Sequence, residues 1–199
     1  NRTPEVGGPR TPITMSVGVV IAHSHTPIRN LFELVAGSLL PAAKRAARAA
    51  ASPSGTVDIL TLTGGQLPED LENRRRHTLR PFTWEQASAF VELAATVARS
   101  QTWSTAGLYS LRDAITRMSR AEADLYYRYQ VARLFSRPDK ARQWEDVERA
   151  LERLAGTYCA EVEGPFFRRG SEYLTPWIDL VELMRYRKGG EDGAAQAER

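Results

Sequence analysis

Lys44 lies late on a predicted helix, in the run Leu39-Leu-Pro-Ala-Ala-Lys44-Arg45. A lysine there could reach phosphates held at the edge of a sheet, because its ammonium is a compact charge on a flexible stem. On the residues alone, a solvated lysine on a basic helix face is the preferred reading. His23 and His25 form a His-x-His pair at a strand end. Side chains two apart on a strand share one side, so a metal site is conceivable. No Cys, Asp or Glu cluster lies near them in sequence, and no metal ligand is assigned. Arg74, Arg75, Arg76, His77 and Arg80 form the densest basic patch. It could touch a nucleic-acid backbone or an acidic protein, or be an exposed linker. RNA or partner contact is assigned to Arg74, Arg75, Arg76 and Arg80. Further arginines, such as Arg99, Arg112 and Arg128, are interspersed with Glu and Asp, as on a solvated helical surface. Among the aromatics, Trp103 and Tyr127 are the candidates for base stacking; the others fall at core spacing. No nucleophile elbow, phosphate-binding P-loop, zinc-ligand spacing or Ser/His/Asp arrangement is present.

The elements that must position these residues begin with a predicted strand, Thr14 to His23. Met15, Val17, Val19 and Ile21 share one face, and Ser16, Gly18, Val20 and Ala22 the other. The second face is small, which either leaves room for a ligand or marks close helix packing at Gly18. A helix is predicted from Pro27 to about Ala51, with Thr26 as N-cap and an apolar stripe including Ile28, Leu31, Phe32 and Leu39. Pro41 should kink it or split it into two abutting helices, with Gly37 helping. Ser52 to Gly55 is a turn, and Val57 to Thr63 a second strand. Parallel strands joined by a crossover helix need a sheet covered on both faces. The unit therefore predicts an open sheet edge, or a strand borrowed from a partner.

Residues 66–81 form a basic linker, after which the pattern turns helical. Thr83-x-x-Gln86 and Ser119-x-x-Glu122 are capping boxes. Apolar spacing marks helices carrying Phe90 and Val91, then Leu111 and Met118, then Leu125 and Phe135, then Trp144 to Leu154 with Gly156 just beyond. Gly164 to Gly170 is a loop, and Thr175-Pro176 opens a last helix. The chain thus divides into a disordered lead-in (1–12), an α/β unit (13–65), the linker, an all-α bundle (82–188) and a disordered tail (189–199).

The bulk numbers are those of an ordinary globular chain: 199 residues, 42% hydrophobic and 26% charged. A net charge of +3 is too weak alone to argue nucleic-acid binding. The single cysteine, Cys159, permits no intrachain disulfide and fits a reducing compartment. No apolar run approaches the ~20 residues of a membrane span, and the start lacks a signal-peptide core. A cytoplasmic protein, present as a fragment and without membrane contact, is expected.

Ser16-Val-Gly-Val-Val-Ile-Ala-His23, then Pro27, then Leu39-Leu-x-x-Ala-Lys44, then the strand between Gly55 and Gly64, resemble the second half of a palm domain. The family is the large, polymerase- and cyclase-like subunit of type III CRISPR effector complexes. Gly107-Leu-Tyr-Ser-Leu-Arg112 and Thr175-Pro-Trp-Ile-Asp-Leu180 are similar to its C-terminal helical domain, so the resemblance covers about residues 14–188. It implies an α+β fold: a partial ferredoxin-like palm of nucleotidyl cyclase type, followed by an all-α helical bundle. It implies ATP binding for synthesis of cyclic oligoadenylate messengers in antiviral defence, switched on by target RNA. Lys44, Ser16 and Gly18 match nucleotide-binding positions. The metal-holding Gly-Gly-Asp-Asp hairpin of the family lies upstream of this strand. Catalytic residues are therefore not expected here, and Mg or Mn with ATP only alongside the missing half. The expected partners are that upstream half, the other subunits of the complex, and guide and target RNA. Gly189-Gly-Glu-Asp192 resembles the metal turn, but a helix precedes it and Gly-Ala-Ala-Gln follows, so it is read as a helix end and tail. A scaffold module without catalysis, or a diguanylate cyclase remnant preferring guanine nucleotides, are the alternatives.

Overall fold

A computed structural model describes residues 14–50, 55–62 and 77–184. The expected lead-in, Arg74 to Arg76, most of the linker and the tail lie outside the described residues.

The first strand, β1, is Val17–Ile21, shorter than the apolar run that encodes it. It pairs in parallel with β2, Thr56–Thr61, with Val17 opposite Val57 and Ile21 opposite Thr61. Between them run α1 (Ile28–Leu34), a π-helical turn (Val35–Leu39) and α2 (Leu40–Ala49). The predicted break at Pro41 takes the form of this π-helical turn. A proline has no N–H to give the preceding turn, and a wider turn accommodates its ring. The cap differs too. Pro27 occupies the N-cap position with no side-chain hydrogen bond, so Thr26 does not cap the helix.

Alternation along the strands separates two cores. Val20 and Ala22 of β1 pack with Leu34, Leu39, Leu60 and Leu62 under the α1–α2 rod. Val17, Val19, Val57 and Ile59 face the larger core. Gly18 sits beneath the π-helical turn: a Cβ there would lie 3.0 Å from Leu39 Cβ and from Leu40 N. Gly55 enters β2 at φ +84°, a conformation that favours glycine.

The division at the linker is not a division of the core. β3, Phe82–Thr83, pairs antiparallel with β2 and gives the sheet the order β1-β2-β3. Phe82 is fully buried and stacks on Phe90 at 5.1 Å. Val57, Leu79 and Phe82 belong to one cluster with the helices that follow. The linker segment 77–81, expected to be exposed, buries Thr78, Leu79 and Arg80.

Four helices follow: α3 (Trp84–Ser100), α4 (Thr105–Arg117), α5 (Arg120–Phe135) and α6 (Pro138–Gly156). Both predicted capping boxes form, at Thr83/Gln86 and Ser119/Glu122. Gly156, expected just past the end, is the last residue of α6. Val91, Met118 and Leu125, expected to be buried, are exposed. The expected loop at Gly164 to Gly170 is part of a three-stranded antiparallel sheet: β4 (Glu161–Glu163), β5 (Phe166–Arg169) and β6 (Glu172–Leu174). The C-terminal part is therefore mixed rather than all-α. The strands are too short for periodicity to reveal them, but Phe166 and Phe167 are buried. A final helix, α7, runs over 177–184. Its Trp177 is fully buried, with Trp103 and Tyr127 rings at 5.4 and 5.6 Å. Among the described residues no helix is long and apolar enough to cross a membrane.

Candidate functional site

Lys44 is held by the amphipathic pattern of α2. Ala42 and Ala43 are buried toward the sheet, and Lys44, Arg45 and Arg48 are exposed. The Thr56 hydroxyl donates to the Ala43 carbonyl at 2.6 Å, tying the start of β2 to this turn. Arg48, in the last turn of α2, complements the negative end of the helix dipole.

Ser16 is half-buried just before β1. The space over Gly18 is filled by Val35, Leu39 and Leu40. Of the two readings open at this glycine, close helix packing holds, and the small face of β1 does not form an open ligand wall there. Lys44 is exposed on α2, whereas Gly18 lies sealed beneath the π-helical turn.

His23 and His25 lie in the turn after β1, both exposed, with stacked rings 5.0 Å apart. Among the described residues no group of three or more His, Cys, Asp or Glu is placed to hold a metal. Trp103 and Tyr127 are 4% and 5% exposed, so neither offers a stacking face for a base. Burial pushes the Tyr127 phenol well above its ordinary range.

Arg80 departs furthest from expectation. Its side chain is buried, and its Nε lies 2.8 Å from Asp179 Oδ1 of α7. That approach is off the hydrogen-bond direction and acts as a charge contact. The guanidinium also donates to the Ile59 carbonyl of β2. Leu79 N–H donates to Asp179 Oδ2 at 3.3 Å, and the Tyr158 hydroxyl donates to the Leu79 carbonyl at 3.0 Å. Thr175 N–H donates to the His77 carbonyl at 2.8 Å. Segment 78–82, buried except at half-buried Pro81, is thus a strap binding the β1–β2 unit to α7, and Arg80 is not free to contact RNA. Burial pushes the Asp179 carboxyl up to about 7, against the opposing pull of Arg80; Glu182 and Asp58 add to the rise. A sequence signal for this knot did exist: Asp179 is a lone carboxylate in the apolar run Trp177 to Val181.

No known protein family, curated protein or solved structure matches the chain.

Proposed function

We propose that this chain is the non-catalytic half of a split palm, with its following helical region, from a nucleotide-cyclising subunit of type III CRISPR effector complexes. On this reading Lys44 supplies a phosphate-contacting cation, while an upstream half brings the carboxylates that hold Mg or Mn. The helical region docks neighbouring subunits and RNA, with Arg74 to Arg76 as the contacting cations.

The supporting observation is the edge of the sheet. Among the described residues β1 pairs only with β2. Met15, just before β1, and Ile28 and Phe32, on the helix after it, are 59%, 84% and 71% exposed. Ile28 and Phe32 were expected to be part of the buried stripe. An open parallel edge with uncovered apolar side chains is unfavourable in an isolated chain, and one missing partner would cover both.

The test is reconstitution. The chain alone should convert no ATP. Supplied with an upstream palm half carrying an intact metal motif, it should form a stable complex that makes cyclic oligoadenylate. Lys44→Ala should lower that turnover by about tenfold, the scale of one lost charge-assisted contact, without weakening assembly. ATP turnover by the chain alone, or full activity with Lys44→Ala, would sink the reading.

The filled space over Gly18 favours a second reading, a scaffold module that takes no part in catalysis. It predicts that Lys44→Ala leaves turnover unchanged. Replacing Arg74, Arg75 and Arg76 would then weaken complex assembly in a salt-dependent way.

A further inference from the structure

α5 is apolar on more than its inner face. Ala123, Tyr127 and Phe135 are buried, as a core helix requires. Leu125, Tyr129 and Ala132, at spacings of four and three, line a second stripe. Leu125 is 70% exposed and Tyr129 60%. A helix that is apolar outside as well as inside normally meets a partner there.

Beside this stripe α5 and α6 border a groove of 420 Å³. Val131, Trp144 and Leu151 give it an apolar lining, and Val162 of β4 joins them. The charges around it are unequal. On the α5 side Arg128 is already engaged by Asp124 at 2.8 Å. On the α6 side Glu148 and Glu152 stand one turn apart, both exposed. Neither has an ion-pair partner among the described residues.

We propose that this groove docks an amphipathic helix of a partner protein. That helix presents apolar side chains at spacings of three and four to the groove, and lysine or arginine to Glu148 and Glu152. Two helical walls suit helix-in-groove packing. β4 has three residues, too short an edge for a strand to be added. The partner's charge follows from complementarity, since two free carboxylates disfavour an acidic flank and favour a basic one. The groove is remote in sequence from Lys44, and the proposal stands or falls independently of the nucleotide reading.

The experiment uses the full chain and two synthetic helical peptides with identical leucine positions. One is flanked by lysines and the other by glutamates, and binding is read by fluorescence anisotropy. The lysine peptide should bind about tenfold more tightly than the glutamate peptide. The double variant Glu148→Lys, Glu152→Lys should reverse that order, and Leu125→Ser, which removes apolar surface beside the groove without adding charge, should weaken both peptides. All of these positions are exposed, and circular dichroism checks that each variant stays folded. Equal binding of the two peptides would overturn the proposal, as would lysine-peptide binding that survives the charge reversal. So would a dimer of the chain that Leu125→Ser dissolves, because the stripe would then belong to a second copy.

Discussion

Arg80 and Asp179 face each other at 2.8 Å with side chains only 4% and 5% exposed. One follows the β1–β2 unit and the other lies on α7, so their contact ties together two segments far apart in sequence. Removing one partner leaves the other charge buried. Asp179→Ala should therefore destabilise the protein by about 3–5 kcal/mol, measured by urea unfolding above neutral pH. Replacing both, Arg80→Met with Asp179→Leu, should recover part of that loss: an apolar pair needs no compensating charge, but the Leu79 N–H and the Ile59 carbonyl still lose their side-chain partners. Equal losses in the single and double variants would show that the contact is not what stabilises this junction.

The same pair predicts a pH dependence. Burial raises the Asp179 carboxyl from 3.8 to about 7. Between those values the folded chain holds a proton that the unfolded chain has released. Its contribution to stability is full below the unfolded value and is lost as pH rises through about 7. Asp179→Asn cannot titrate. The stability difference between the natural protein and this variant should fall as pH rises across that window and then level off. A difference that is flat with pH would show that the carboxyl titrates in its ordinary range.

Gly18 offers a test of close packing. A Cβ would meet Leu39 Cβ and Leu40 N at 3.0 Å, and one of those atoms is backbone, which yields little. Gly18→Ala should cost about 1–3 kcal/mol by overpacking, although alanine is the better residue for a strand. A neutral or stabilising result would show that the helix rod lifts freely from β1.

Local chemistry made much of this fold legible. The alternation around Val17 to Ile21 marks a strand whatever surrounds it, and Thr83/Gln86 and Ser119/Glu122 satisfy helix ends within four residues. The π-helical turn was not legible, because it answers two demands at once: the missing N–H of Pro41 and the close approach over Gly18. Arg80 was misplaced because it closes a run of exposed-looking arginines. Its partner, Asp179, is distant in sequence. β4 to β6 are held by Phe166 and Phe167 packing inward, while Gly164 and Gly170 gave the segment the composition of a loop. For the candidate site, sequence placed Lys44 on an exposed helical face but could not show that Gly18 is sealed.

Trp177 separates apolar packing from polar satisfaction. Its ring is fully buried against Trp103 and Tyr127, yet its indole Nε1 has no hydrogen-bond partner among the described residues. An unpaired buried donor carries a desolvation penalty of about 1–3 kcal/mol. Trp177→Phe removes that donor while keeping an aromatic ring, so the penalty it lifts offsets part of the volume it loses. The expected cost is below about 1.5 kcal/mol. Trp177→Ala keeps neither ring nor packing and should cost about 3–5 kcal/mol. Urea midpoints at constant slope distinguish the two. If Trp177→Phe is as damaging as Trp177→Ala, the indole N–H is hydrogen-bonded in solution, and a buried water bridging it becomes the account to test.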